Sequence, residues 1–319
     1  MNRRFWSTLR LFLAALAAVA APEGAFDWSK AKAVTKDILH AELTWKEPRP
    51  LKIHALKVDL TAPSLRLITT GRAPGWGEAM PDCPKFVIRT KRQRTLDFVA
   101  ELRKQGIPVV AAVNASPWVP WEKPFNHKYA DHIGLSVCDG EVVSLPQKRP
   151  VPALIQKRDG NVEMREVKPG DPVDDVFLAV SGFTFILREG KVCAPAKDKA
   201  LHPRTFYGLS QDRKTLYLVT VDGRQKGYSE GMNLFEGGEL LLHFGSYEGI
   251  NMDGGGSTSM VLWNKNKPTL VNRPPGTGLP RASRTVATNL GIYYTSSKVE
   301  RALRNARKSA EKTAEKPAE

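Results

Sequence analysis

Apolar and polar positions alternate along much of this chain, and the alternation breaks at points rich in glycine, proline and aspartate. "LKIHALKVDLTAPSLRLITT" (51–70) holds two such runs around "TAPS", which predicts two strands joined by a turn. "GRAPGWGEAMPDCP" (71–84) carries too much Gly and Pro for a regular element and reads as loop. With Thr95 as N-cap, Leu96, Phe98, Val99 and Leu102 share one face of a helix that ends at Gly106. "IPVVAAVNASPW" follows as a buried strand running into a polar and aromatic loop. "GLSVCDGEVVS", "ALIQKRDGNVEMREV" and "AVSGFTFILREGKVC" each read as strand, turn, strand, with "DG" or "EG" at the reversal. "TFYGLSQDRKTLYLVTVDGRQ" repeats the pattern with a longer turn. A short helix over 234–245 then precedes a strand, a glycine run, a Pro/Gly loop and a final strand. Neither strict βαβα alternation nor a repeat of fixed length occurs. The expected fold class is therefore α+β: a single domain with a mixed, largely antiparallel β-sheet core flanked by a few helices.

The ends of the chain change that picture little, but they place the protein. Residues 1–21 combine Arg3, Arg4 and Arg10 with the short apolar run "LFLAALAAVAA", the pattern of a secretory signal peptide cleaved after Ala20 or Ala21. The run is short for a bilayer span, no second candidate span follows, and no Cys sits behind it for lipid attachment. An exported protein, periplasmic or secreted, is expected. The organisation is then a lead-in over 22–49, a main domain over 50–296 and a polar, basic tail over 297–319 that reads as frayed helix or disorder. Loss of the signal removes three arginines and no acid from a net charge of +15, leaving about +12. So basic an exported protein suits anionic partners such as envelope polymers or phosphorylated glycans; no specific nucleic acid is expected. One basic cluster, "RTKRQRT", lies at 89–95. Cys83, Cys138 and Cys193 permit at most one disulfide, leave at least one thiol, and are spaced unlike a zinc site.

Chemistry concentrates in "INMDGGGSTSMVL" (250–262). The run lacks the Lys of a phosphate-binding P-loop, the third glycine of the dinucleotide fingerprint and the spacing of a nucleophile elbow. What remains is chemistry by residue type. Gly254, Gly255 and Gly256 allow amides to converge on an anionic oxygen, Asp253 can face whatever they hold, and Ser257 and Thr258 can bond hydroxyls or phosphate. A bulge or hairpin with Asp253 capping the turn reads equally well.

"NMDGGGSTSMVL" resembles the "NLDGGGS" signature of the phosphodiester glycosidase family. "VDLTAPSLRLITT", "TLDFVAELRKQGIPVVAAVNASPW", "AVSGFTFILREGKV", "HPRTFYGLSQDRKTLYLVTVDGRQ" and "VNRP…RASRTVATNLGIY" follow in the family's order, so the resemblance spans about residues 50–295. One departure stands out: where the family often carries an "NGGFF"-like stretch, Asn114 is followed here by "ASPWVPW". The resemblance implies hydrolysis of the glycosidic bond in a sugar-1-phosphodiester. Asp253 would stabilise or attack the oxocarbenium-like centre, with Arg204, Arg224 and Arg284 holding the phosphodiester. Asn114, Asp222, Asn251 and Asn272 fall at matched positions suited to hydroxyl contacts or to orienting the charged groups. His202 could act as an acid or a phosphate contact, and Trp118, Trp121 and Phe125 could stack on a sugar or pack in the core. His127, Asp131 and His132 fit no standard metal spacing, whereas Asp253 or Asp222 could hold Ca²⁺ together with loop carbonyls. Phosphodiester cleavage at phosphorus, or glycan binding without catalysis, remain the alternatives.

Overall fold

The computed structural model describes residues 24–122, 126–275 and 283–303. Two large antiparallel sheets face each other. The first has eight strands in the order Lys32–Thr35, Ile38–Trp45, Leu51–Asp59, Thr215–Val221, Arg204–Leu209, Glu248–Asn251, Thr184–Arg188 and Lys191–Val192. The second has five: Lys267–Leu270, Met260–Asn264, Val109–Asn114, Asn289–Tyr294 and Leu65–Thr69. A third, of five strands within 136–181, packs at their side, and two small sheets complete the set. Every strand pairing among the described residues is antiparallel. The residues read as a lead-in thus supply two strands of the first sheet.

Period-two alternation decides which core each side chain enters. On Leu51–Asp59, Leu56 and Val58 point between the sheets, where they meet Tyr207, Ile250, Ala111, Val113 and Leu290. Ile53 and Ala55 point the other way, onto helix α2 (Leu234–Phe244) with Phe206, Leu240 and Phe244. In the second sheet Ala112 turns outward between inward Ala111 and Val113. A register shift before Ala111 puts Val109 on the same outer face, against Phe98 and Val99 of helix α1 (Thr95–Lys104). The layers run α2, sheet, sheet, α1, and each fully buried aliphatic or aromatic side chain contributes about 1.5–3 kcal/mol of transfer free energy. Helix α2 is well terminated, with a capping box between Asn233 and Glu236 and left-handed Gly245 at its end. Its two internal glycines allow close approach: a Cβ on Gly237 would lie 2.3 Å from the Phe206 ring, and one on Gly238 would lie 2.8 Å from the Ile186 carbonyl.

Several local expectations change. Thr95 is the first helical residue, not the cap; Arg94 occupies the cap without a side-chain bond and instead grips Asp97 through two hydrogen bonds. The loop after Gly71 contains a short hairpin, Ala79–Met80 with Cys83–Val87. The turn "TAPS" carries the chain from one sheet to the other rather than closing a hairpin. Cys83, Cys138 and Cys193 are all free thiols. Among the described residues no helix is long and apolar enough to cross a membrane. Residues 1–23, Phe125 and the tail beyond 303 lie outside the described residues, so the signal peptide and most of the tail do too.

Candidate active site

The glycine run is a crossover between the two facing sheets. Strand Glu248–Asn251 lies in the first sheet, and Met252 extends it by donating its N–H to the Thr205 carbonyl. One residue later the Asp253 N–H donates to Ala115, which follows the second sheet's strand Val109–Asn114. Gly255–Ser257 then make a 3-10 turn that delivers the chain to Met260–Asn264 in that second sheet. The amides do not converge on an open anion nest. Gly254 donates to Asp253 Oδ1 (2.9 Å), Gly255 to Pro203 O (2.9 Å), and Ser257 and Thr258 close the turn on Gly254 and Gly255. What the glycines supply is room. A Cβ on Gly254 would strike the Pro203 carbonyl at 2.7 Å, Gly255 has φ +63°, and Gly256 lies beneath the Arg284 guanidinium.

Asp253 is buried at the lip of this crossover. Its Oδ2 accepts a hydrogen bond from Trp118 Nε1 at 3.1 Å, and its carboxylate also bonds the Ser257 hydroxyl. Ser257 Oγ in turn accepts Arg284 Nη2 at 2.7 Å. Burial pushes the Asp253 carboxyl pKa upward, against the opposing pull of Arg284, Ser257, Trp118 and the Gly254 amide. Trp118, fully buried, has the Arg92 guanidinium 4.1 Å from its ring centroid and that of Arg284 at 5.5 Å. Arg92 is itself buried, donating to the His127 and Thr285 carbonyls; burial, then Arg284, bring its pKa down to about 10, with Asp253 opposing.

A second group gathers on the other side of the loop. Arg224 sits over Gly255, its Nη1 3.3 Å from where a Cβ would be, and its Nη2 is 3.2 Å from His202 Nδ1. It is a non-glycine residue at φ +57°, a conformation costing about 1–3 kcal/mol that the surrounding turn must sustain. Arg204 donates Nε to Met232 O and Nη2 to Ala200 O, both at 3.1 Å, and so braces the segment before the loop. Desolvation, then Arg204 and Arg224, hold the His202 pKa below its ordinary value.

The family-model comparison matches phosphodiester glycosidases over residues 108–293, a span holding Asp253, Trp118, all three arginines of the sequence pattern and the inner strands that flank the glycine crossover. The chain belongs to the phosphodiester glycosidase family. No curated protein matches it by sequence. The zebrafish N-acetylglucosamine-1-phosphodiester alpha-N-acetylglucosaminidase catalytic domain, auto-inhibited by its pro-peptide, shares the fold at a TM-score of 0.58 and 18% identity, over 83% of this chain and 87% of that one. A hypothetical protein from Synechocystis matches at 0.55 and 11% identity, over 82% and 63% of the two chains. A candidate exported protein from Burkholderia pseudomallei matches at 0.51 and 14%, over 76% and 74%.

Within this family fold, the residues singled out from sequence divide by what their polar atoms do. Asn114 ties the crossover together: its Nδ2 donates to the Asp253 carbonyl at 2.7 Å, and its Oδ1 accepts from Thr205 and the Ser259 amide. Asn272 does the same at the exit, donating to Thr258 O and Asp222 Oδ1 and accepting from the Met260 amide. Asp222 is fully buried and receives Asn272, the Arg273 amide and Tyr228 Oη; its desolvation pushes its pKa up to about 6. Hydrogen-bond donors reach both carboxylates: the Trp118 indole and Gly254 amide at Asp253, the Asn272 amide and Arg273 N–H at Asp222. Among the described residues no group of three or more His, Cys, Asp or Glu could hold a metal ion. Asn251 keeps its Oδ1 buried without a hydrogen-bond partner, as Thr258 keeps its Oγ1. His132 bonds Thr90, Asp131 pairs with Arg89, and His127 pairs with Asp82. Trp121 stands at the surface, 48% exposed, with its ring 5.9 Å from that of Phe183.

Arg92 is the residue that the sequence reading missed, because "RTKRQRT" looks like a solvated basic face. The available signal was alternation: Thr90 and Arg92 are buried while Lys91 is exposed.

Proposed function

We propose that this protein is an exported hydrolase that cleaves the glycosidic C–O bond of a sugar-1-phosphodiester, in an envelope, capsular or host-derived phosphoglycan. The observation that carries this reading is the buried Asp253 carboxylate, held by Trp118 and Ser257 beside Arg284, in a chain of the phosphodiester glycosidase family. Cleavage of that bond develops positive charge at the anomeric carbon, and a desolvated carboxylate stabilises or captures it far better than one in water. The leaving phosphate monoester departs without a strong general acid, so cations rather than a proton donor assist it. Arg284 sits nearest the carboxylate and contacts the phosphodiester in this account. Arg224, at the surface over Gly255, receives the anion as it enters, and Arg204 supports that side through its field and its grip on the preceding segment. Gly254, Gly255, Gly256, Ser257 and Thr258 shape the floor, while Asn114, Asp222, Asn251 and Asn272 keep its geometry. The net positive charge favours an anionic glycan, and the N-terminal leader of the sequence fits delivery outside the cytoplasm.

The deciding assay presents a panel of glycan phosphodiesters in ¹⁸O-labelled water. Label in the released sugar is the expected result. Label in the phosphate would replace this reading with phosphorus–oxygen cleavage, and binding without any release would make the protein a glycan-binding module.

A further inference from the structure

We propose that the Trp118 indole, packed against the Arg92 and Arg284 guanidiniums, is the positioning group that orients the Asp253 carboxylate, and that this N–H donor sets the pH range in which Asp253 works. The proposal rests on the hydrolase reading above and names a regulation of the same site. Here the indole N–H reaches Asp253 Oδ2 at 3.1 Å from a fully buried ring. The ring has little freedom to turn. Arg92, anchored on the His127 and Thr285 carbonyls, and Arg284, anchored on Ser257, both lie within 5.5 Å of its centroid. The groups facing Asp253 are therefore all donors or cations: the Trp118 indole, the Ser257 hydroxyl, the Gly254 amide, Arg284 and, beside the Trp118 ring, Arg92. Each favours the ionised carboxylate against burial, and a donor lost from this set moves the acid limb of activity to higher pH.

The test replaces Trp118 by phenylalanine and, to keep size and shape unchanged, by the benzothiophene isostere of tryptophan, which lacks only the N–H. Kinetics are followed against pH on whichever phosphodiester of the panel is cleaved. Expected is an acid limb displaced upward by about one pH unit, with kcat lowered about tenfold at the wild-type optimum and KM little changed. Thermal unfolding of the isostere protein should match the wild type, which separates positioning from folding. An isostere protein with the wild-type pH profile overturns the proposal even if Trp118→Phe is impaired. The nuclear magnetic resonance signal of the Trp118 indole proton gives a readout free of catalysis. It should titrate with Asp253 in the wild type and cease to do so in Asp253→Asn. Absence of that titration sinks the positioning role; absence of sugar release with the titration intact sinks only the hydrolase reading.

Discussion

The two sides of the glycine crossover are built in opposite ways. On the Asp253 side, the carboxylate, Trp118 and Arg92 are buried; the carboxylate accepts from the Trp118 indole and the Gly254 amide, and Arg92 donates to two backbone carbonyls. On the other side Arg224 is exposed, sits in a left-handed backbone conformation and leans on a partly exposed His202. Burial makes charge interactions strong and fixes geometry, as stabilising a transition state requires. Exposure leaves charge weak but able to meet a ligand first. Under the hydrolase proposed above, this contrast puts chemistry on the Asp253 side and capture of the anion on the Arg224 side.

Arg284→Met breaks that contrast most severely, because it removes both the Ser257 contact and a cation packed against Trp118. Steady-state kinetics should show kcat lowered by about 10²–10³ with a smaller change in KM. A change confined to KM would move Arg284 to the capture side. Arg224→Met should do the reverse, raising KM about threefold to fivefold, with the effect shrinking at high salt and kcat nearly constant. Asp222→Asn sharpens the comparison through stability. Asp222 joins the Arg224 hairpin to the exit of the glycine loop through Asn272. In the folded protein desolvation pushes its pKa to about 6, above the ordinary carboxyl value of 3.8. The folded protein thus binds the proton more tightly, and stability falls as pH rises from about 4 to 6, by up to about 3 kcal/mol. Denaturant unfolding across that range should show the slope in the wild type and lose most of it in Asp222→Asn; equal slopes would contradict it.

How much of this could be read from sequence differs by region for physical reasons. The hairpins at Asp139–Gly140 and Glu189–Gly190 were legible because both residues of each turn take positive φ, which "DG" and "EG" accommodate with strands alternating on either side. Helix α2 was legible from its period and from Gly245 at its end. The glycine crossover was only half legible. Its composition announces close approach, but which sheets it joins depends on partners far away, Ala115 and Pro203. Arg204 and Arg224 were found by family position, yet sequence alone could not show that Arg204 grips two carbonyls while Arg224 stands free of the backbone over Gly255. Trp118 could equally stack on a sugar or pack in the core by sequence, and which of the two it does, burial with its N–H on Asp253, is a tertiary fact. Trp121, three residues on, keeps the exposed position a sugar platform needs.

The central claim is that Asp253 is the group acting at the anomeric carbon. Asp253→Asn preserves size and can still accept from Trp118, so it tests the charge rather than the fold. Release of sugar from a cleaved phosphodiester should drop by at least about 10³-fold, with thermal unfolding near that of the wild type. Sugar release by Asp253→Asn at the wild-type rate would contradict the account and move the chemistry away from the glycine crossover.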